Sequence, residues 1–151
     1  VLLKESSCQG FVFYTNLNSP KSLDLKENPK AAMCFHWKSF NRQIRIIGSI
    51  TQVDAGEADL YFNSRSYESR ISAWASDQSK SMKQRSELLK KIENFKKKYK
   101  DEKNVPRPPH WSGWCLKPLS IEFWLHKDNR IHERLRYSKT ANGWEKEILY
   151  P

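Results

Sequence analysis

The stretch RQIRIIGSITQV, Arg42 to Val53, is dominated by residues that favour extended backbone and is bounded by polar segments. It reads as a long strand, the third in order, with Gly48 marking a bulge or a close approach of another backbone. Working back from it, Ala31 to Trp37 is a second strand and Gly10 to Leu17, GFVFYTNL, a first. Between those two, Ser19-Pro20 opens a short helix, since Ser suits the N-cap and Pro the first helical position. That helix stops near Asn28, because Pro29 disfavours helical geometry in the residue before it.

Working forward, Gly56 to Ser64 and Tyr67 to Ser76 read as helical segments. From Lys80 to Lys103 the chain carries ten Lys or Arg against four Asp or Glu. Leu88, Leu89, Ile92, Phe95 and Tyr99 recur there at helical spacing, the mark of an amphipathic surface helix. VPRPP, Val105 to Pro109, is a rigid loop. Leu119 to His126, Arg130 to Tyr137 and Gly143 to Leu149 are three further strands, joined through KDN and KTANG turns. About six strands outnumber the helices available to cross between them. The expected class is therefore mostly β with flanking helices, in a sheet or barrel that is mainly antiparallel.

Composition narrows the function. The 151 residues suit a single domain, 1–151, and the 13% aromatic content argues against disorder. That many large aromatics also suit a dimer. No apolar run approaches the roughly 18 residues of a membrane span, and no leader peptide is visible, so a cytoplasmic protein is expected. Cys8, Cys34 and Cys115 lack the spacing of a zinc site and read as free thiols of a reducing compartment, with no metal. The net charge of +10 admits nucleic acid, but no base-reading motif accompanies it, and the basic helix reads as a solvated face.

Three constellations carry chemistry. Tyr61, Arg65 and Ser69 are spaced i, i+4, i+8. On one continuous helix they form either a donor row for a phosphate or an ordinary amphipathic edge. Arg130, His132 and Arg134 alternate in RIHER. On a strand they share one face, which is either solvated or covered by an anionic ligand. Ser19-Pro20-Lys21 sits at a helix start, where free N–H groups and an ammonium make either an anion site or a plain cap.

In order along the chain, VLLK (Val1–Lys4), FYTN (Phe13–Asn16), Ser19-x-Lys21, RQIRIIG (Arg42–Gly48), YFNSR (Tyr61–Arg65), AWASDQS (Ala73–Ser79), IEFW (Ile121–Trp124) and RIHERLRY (Arg130–Tyr137) resemble the pyridoxamine 5'-phosphate oxidase family. The resemblance implies an FMN-binding split β-barrel that forms a homodimer with FMN at the subunit interface. It implies that Lys4, Tyr61, Arg65 and Ser69 hold the substrate phosphate. Arg130 and His132 would lie against the pyridine ring as catalytic residues. FMN would be met by Val1, Leu2, Leu3, Lys4, Tyr14, Thr15, Lys21, Gln43, Gln78, Ser79, Trp124 and Arg134, several of them from the opposite subunit.

The implied reaction oxidises pyridoxamine or pyridoxine 5'-phosphate to pyridoxal 5'-phosphate, with O2 reduced to H2O2. Family members carry a further N-terminal segment before the VLLK motif, and many have a basic residue where Pro20 stands. The alternatives are a split-barrel flavoprotein of another activity, such as a flavin reductase, and a basic nucleic-acid-binding protein. The first needs neither the Tyr61 row nor the Arg130/His132 pair.

Overall fold

The computed structural model describes residues 1–151. Its elements are β1 (Glu5–Ser7), β2 (Gly10–Asn16), α1 (Pro20–Glu27), β3 (Lys30–Trp37), β4 (Arg42–Gln52), α2 (Ala55–Ser64), α3 (Tyr67–Ala75), α4 (Arg85–Lys98), β5 (Trp111–Leu125), β6 (Glu133–Thr140) and β7 (Gly143–Leu149). Short 3₁₀ turns occupy Lys38–Phe40 and Asp128–Arg130. The seven strands form one antiparallel sheet in the order β1-β2-β5-β4-β3, with β6 on β5 and β7 on β6.

The hub is β5. Residues Trp114–Leu125 pair with β4 along one edge. The other edge forks: Trp111–Leu116 take β2, and Ser120–Leu125 take β6. The fork falls around Pro118, which has no N–H to give to a ladder. Opposite it, the register with β4 shifts between Ile47 and Gly48. A Cβ on Gly48 would lie 1.9 Å from the Lys117 carbonyl oxygen, so only glycine lets the two backbones meet there. The sheet has the curled, split-barrel form.

Phe13, Leu17, Ile46, Ile50, Trp114 and Leu116 make the core on the inner face, with Leu25 of α1 packed against them. A second core of Phe62, Ile71, Val105 and Trp111 joins α2 and α3 to the start of β5. Each such side chain contributes roughly 1.5–3 kcal/mol by leaving water. The proline-rich loop runs into β5 from beneath α3: Trp74 Nε1 donates to the Pro106 carbonyl at 2.7 Å, and Arg70 Nη2 to that of Glu102 at 2.6 Å.

Five expectations need correction. The segment carrying Tyr61, Arg65 and Ser69 is not one helix: Arg65 leaves α2 with extended backbone, and Ser66 caps α3, its Oγ accepting from the Ser69 N–H. Arg130 and His132 are not on a strand, because Asn129 and Arg130 adopt φ of 54° and 61° and β6 starts only at Glu133. Strand β5 begins at Trp111 rather than Leu119; Gly113 and Pro118 hid its first half. Strand β1 raises the count to seven, and Lys80–Gln84 precede the basic helix without joining it.

No helix is long and apolar enough to cross a membrane. The three cysteines are free. Lysines of α4 are engaged locally: Lys91 pairs with Asp77, Lys96 with Glu68, and Lys98 lies over the rings of Trp74 and Tyr99.

Candidate active site

Two hollows and one polar knot hold most of the candidate residues. The first hollow, about 410 Å³, is lined by Leu2, Lys4, Tyr14, Tyr61, Arg65, Ser66, Ser69 and Trp111. All four residues expected to grip a phosphate are therefore together, brought there by the break between α2 and α3 rather than by helical spacing. Lys4 is fixed by its backbone N–H, which donates to the Val12 carbonyl at 2.8 Å. Ser66 Oγ and Ser69 Oγ lie 2.9 Å apart.

The electrostatics of this pocket are one-sided. Its lining holds Lys4 and Arg65 but no carboxylate. Nη1 of Arg65 is buried without a hydrogen-bond partner. Burial pulls the guanidinium pKa down, and the Tyr61 phenol acts in the opposite direction. A buried donor left unsatisfied costs about 1–3 kcal/mol, more when charged. An oxyanion in the pocket would meet the positive charge of Lys4 and Arg65, the latter able to form charge-assisted bonds. Beneath the guanidinium, Tyr61, Tyr14 and Trp111 stack, with Tyr14 rings 4.0 Å from Tyr61 and 5.1 Å from Trp111. Tyr14 donates to Glu57 at 3.4 Å, and its pKa is raised by burial first and by Glu57 second.

The knot lies one residue along β2. Lys21 Nζ, on the first turn of α1, donates to Gln78 Oε1 at 2.7 Å and to Thr15 Oγ1 and Ser19 Oγ at 3.0 Å each. Burial lowers the Lys21 pKa. Ser19 makes no side-chain cap to α1; its hydroxyl donates instead to the Asn16 carbonyl at 2.7 Å and receives Lys21. Ser79, beside Gln78, is exposed with φ of 68°. Val1 and Leu2 are exposed, and Leu3 borders on it.

The second hollow, about 1260 Å³, opens at the far end of β5. Gln43, Trp124 and Arg134 form one cross-strand row on β4, β5 and β6, and all three line it with His132. Arg130 is exposed and stands outside the lining. The His132 ring packs 4.8 Å from Trp124 and 5.0 Å from His126. Its Nδ1 accepts the Lys127 N–H at 3.2 Å, so the neutral ring carries its proton on Nε2. The groove exposes a broad apolar rim, with Phe40 69%, Ile131 68% and Ile148 85% accessible.

Arg134 is held by a carboxylate that the sequence reading missed. Its Nε donates to Glu122 Oε1 at 2.8 Å, and its Nη1 to the Tyr150 carbonyl at 3.0 Å. Glu122 is buried and directly opposite both Arg45 and Arg136 in the sheet. The Arg134 hydrogen bond holds its carboxyl below the usual range against the opposing effect of burial, and the charges of Arg134, Arg45 and Arg136 add to this. The i, i+2 register of IEFW against RLRY was the available signal. Trp111 was missed as well, and nothing in its local sequence pointed to the pocket.

In sequence, residues 4–99 match the family model described as pyridoxamine 5'-phosphate oxidase. Residues 111–151 match that of the pyridoxine 5'-phosphate oxidase C-terminal dimerisation region. A pyridoxine/pyridoxamine 5'-phosphate oxidase of Pelagibacter ubique is 59% identical over all of this chain and 73% of its own length. One from Bartonella henselae is 48% identical over all of this chain and 74% of its own. Among solved structures, PhzG from Burkholderia lata, in complex with tetrahydrophenazine-1-carboxylic acid, superposes with a TM-score of 0.90 at 29% identity, covering 99% of this chain and 72% of that one. A pyridoxamine 5'-phosphate oxidase-related, FMN binding protein of Nostoc punctiforme shares the fold, with a TM-score of 0.71 at 16% identity over 93% of this chain and 73% of its own. The chain belongs to the pyridoxamine 5'-phosphate oxidase family.

Proposed function

We propose that this protein is an FMN-dependent oxidase that converts pyridoxamine 5'-phosphate or pyridoxine 5'-phosphate to pyridoxal 5'-phosphate, reducing O2 to H2O2. The observation that carries the reading is the pocket lined by Lys4 and Arg65 with no carboxylate to balance them. A phosphoester supplies what that pocket lacks. A flavin reductase has no use for such a grip.

The polar knot suits a second phosphate. Lys21 meets only neutral oxygens there, and its ammonium has no ionic partner. In this reading Lys21, Thr15, Gln78 and Ser79 hold the phosphate end of FMN, with Val1–Lys4 and Tyr14 alongside, while Gln43, Trp124 and Arg134 receive the ring end. Bound FMN supplies the electron acceptor that no side chain provides. The protein's part is orientation. Phosphate anchoring fixes the substrate ring, His132 presents an Nε2–H, and Arg130 brings positive charge to the reacting substituent.

The two hollows share no residue and sit at opposite ends of β5, whose thirteen steps from Trp111 to Trp124 span about 40 Å along the strand. We therefore assign each active centre to both chains of a homodimer: pocket and knot from one protomer, the Gln43–Arg134 row, Arg130 and His132 from its partner. The apolar rim of the groove lies largely within the segment that matches the dimerisation region. Residues 1–151 act as one domain here, since β5 pairs with strands from both family segments. Three free thiols accord with a cytoplasmic setting.

The test is spectroscopic. The purified protein should be yellow, and pyridoxamine 5'-phosphate added without oxygen should bleach it, with colour returning on aeration. A yellow protein that stays oxidised under pyridoxamine 5'-phosphate but bleaches with a nicotinamide donor would overturn the oxidase reading in favour of a reductase.

A further inference from the structure

We propose that Trp111 is a positioning residue for phosphate recognition: its indole face carries the Arg65 guanidinium and holds it at the pocket wall. The inference rests on reading that pocket as the phosphate seat.

Arg65 Cζ lies 4.9 Å from the Trp111 ring centroid and 5.7 Å from that of Phe62. Trp111 is itself 7% exposed, so the contact is largely removed from water. Tyr14 stacks on the Trp111 ring with planes 10° apart and is tied to Glu57, which keeps the indole from turning. Phe62 meets the same ring edge-on at 69°.

Arg65 forms no ion pair or hydrogen bond to the protein through its guanidinium. Arg134, by contrast, is oriented by Glu122. A carboxylate at Arg65 would occupy its donors and repel an incoming phosphate. An aromatic face does neither: it attracts the cation through the ring quadrupole and leaves every N–H free in the plane. The two arginines thus have different supports, and Trp111 takes at Arg65 the place that a carboxylate takes at Arg134. This arrangement makes Trp111 a determinant of preference for phosphorylated over phosphate-free ligands.

The experiment compares FMN-loaded wild type, Arg65→Ala, Trp111→Met and Trp111→Phe. Methionine fills space without an aromatic face, and phenylalanine keeps a weaker one. Each protein is titrated with 4-deoxypyridoxine 5'-phosphate and with 4-deoxypyridoxine, neither of which can be oxidised at the 4'-carbon, and the ratio of the two dissociation constants is read.

Trp111→Met is expected to lower the preference for the phosphorylated ligand about tenfold and Trp111→Phe about threefold, with affinity for the phosphate-free ligand unchanged. With pyridoxamine 5'-phosphate as substrate, KM should rise in parallel while kcat holds. Equal weakening of both ligands would mark Trp111 as merely structural and overturn the inference. So would a wild-type ratio in both Trp111 variants while Arg65→Ala collapses it; the pocket reading would then stand alone. A wild-type ratio in Arg65→Ala would overturn that reading and the inference with it. If the methionine variant does not fold, the phenylalanine variant decides: an unchanged ratio overturns the inference.

Discussion

Lys21 and Gln78 are fifty-seven positions apart in the chain, yet the lysine ammonium donates to the glutamine carbonyl oxygen at 2.7 Å. Thr15 completes the triangle, donating to the same oxygen at 2.9 Å. The contact draws the loop after α3 onto the first turn of α1. It also leaves a partly desolvated cation among neutral partners.

That arrangement predicts opposite effects on protein and cofactor. Lys21→Met should leave the melting temperature of the apoprotein unchanged or higher, because a charge held in a desolvated place is removed. The same change should weaken FMN binding roughly 10–100-fold, the worth of a charge-assisted hydrogen bond. Titrating apoprotein with FMN by fluorescence quenching, beside a thermal melt, checks both halves. A large stability loss with normal FMN affinity would assign Lys21 to the fold alone.

The proposed division of the site between chains predicts complementation. Arg65→Ala and Arg130→Ala homodimers should each be nearly inactive. A heterodimer holding one chain of each type has one centre with both changes and one with neither, so it should recover about half the wild-type activity per dimer. Co-expression with two affinity tags isolates that species. No recovery would place Arg65 and Arg130 of one centre on the same chain.

The buried carboxylate of Glu122 predicts a pH dependence. Its folded pKa lies below the ordinary 4.5, chiefly through the hydrogen bond from Arg134. The stability it contributes is therefore complete above about pH 4.5 and is lost as pH falls through the depressed folded value. Glu122→Gln should destabilise the protein by about 1–2 kcal/mol at pH 7, and the gap from wild type should narrow progressively below pH 4.5. Denaturant melts at pH 7, 5 and 3.5 measure it. A gap that widens on acidification would mean that the carboxylate is not the ionised partner of Arg134.

Much of this molecule is legible in its sequence. Local signals placed β2, β3, β4 and α1 to within a residue or two, and Gly48 marked the irregularity opposite Pro118. Signals that depend on distant partners were not legible. Pro118 argues against a strand unless the fork of β5 around it is known. Tyr61, Arg65 and Ser69 suggested a helical row, whereas a break capped by Ser66 is what gathers them. The positive φ of Arg130 is imposed by the connection from β5 to β6, not by any turn residue at that position. The family resemblance supplied the candidate roles; the fold supplied the supports, Trp111 under Arg65 and Glu122 behind Arg134.

The Asn129–Arg130 turn has a further consequence. Asparagine tolerates left-handed backbone, but at Arg130 that conformation costs a side chain about 1 kcal/mol that glycine would not incur. Arg130→Gly should therefore melt above Arg130→Ala, with both equally unable to turn over substrate. With Arg130 in the catalytic role proposed for it, durability and catalysis pull this hairpin in opposite directions. Sequence drift that favoured a sturdier turn here would lead, one substitution at a time, to a robust flavoprotein that no longer makes its product.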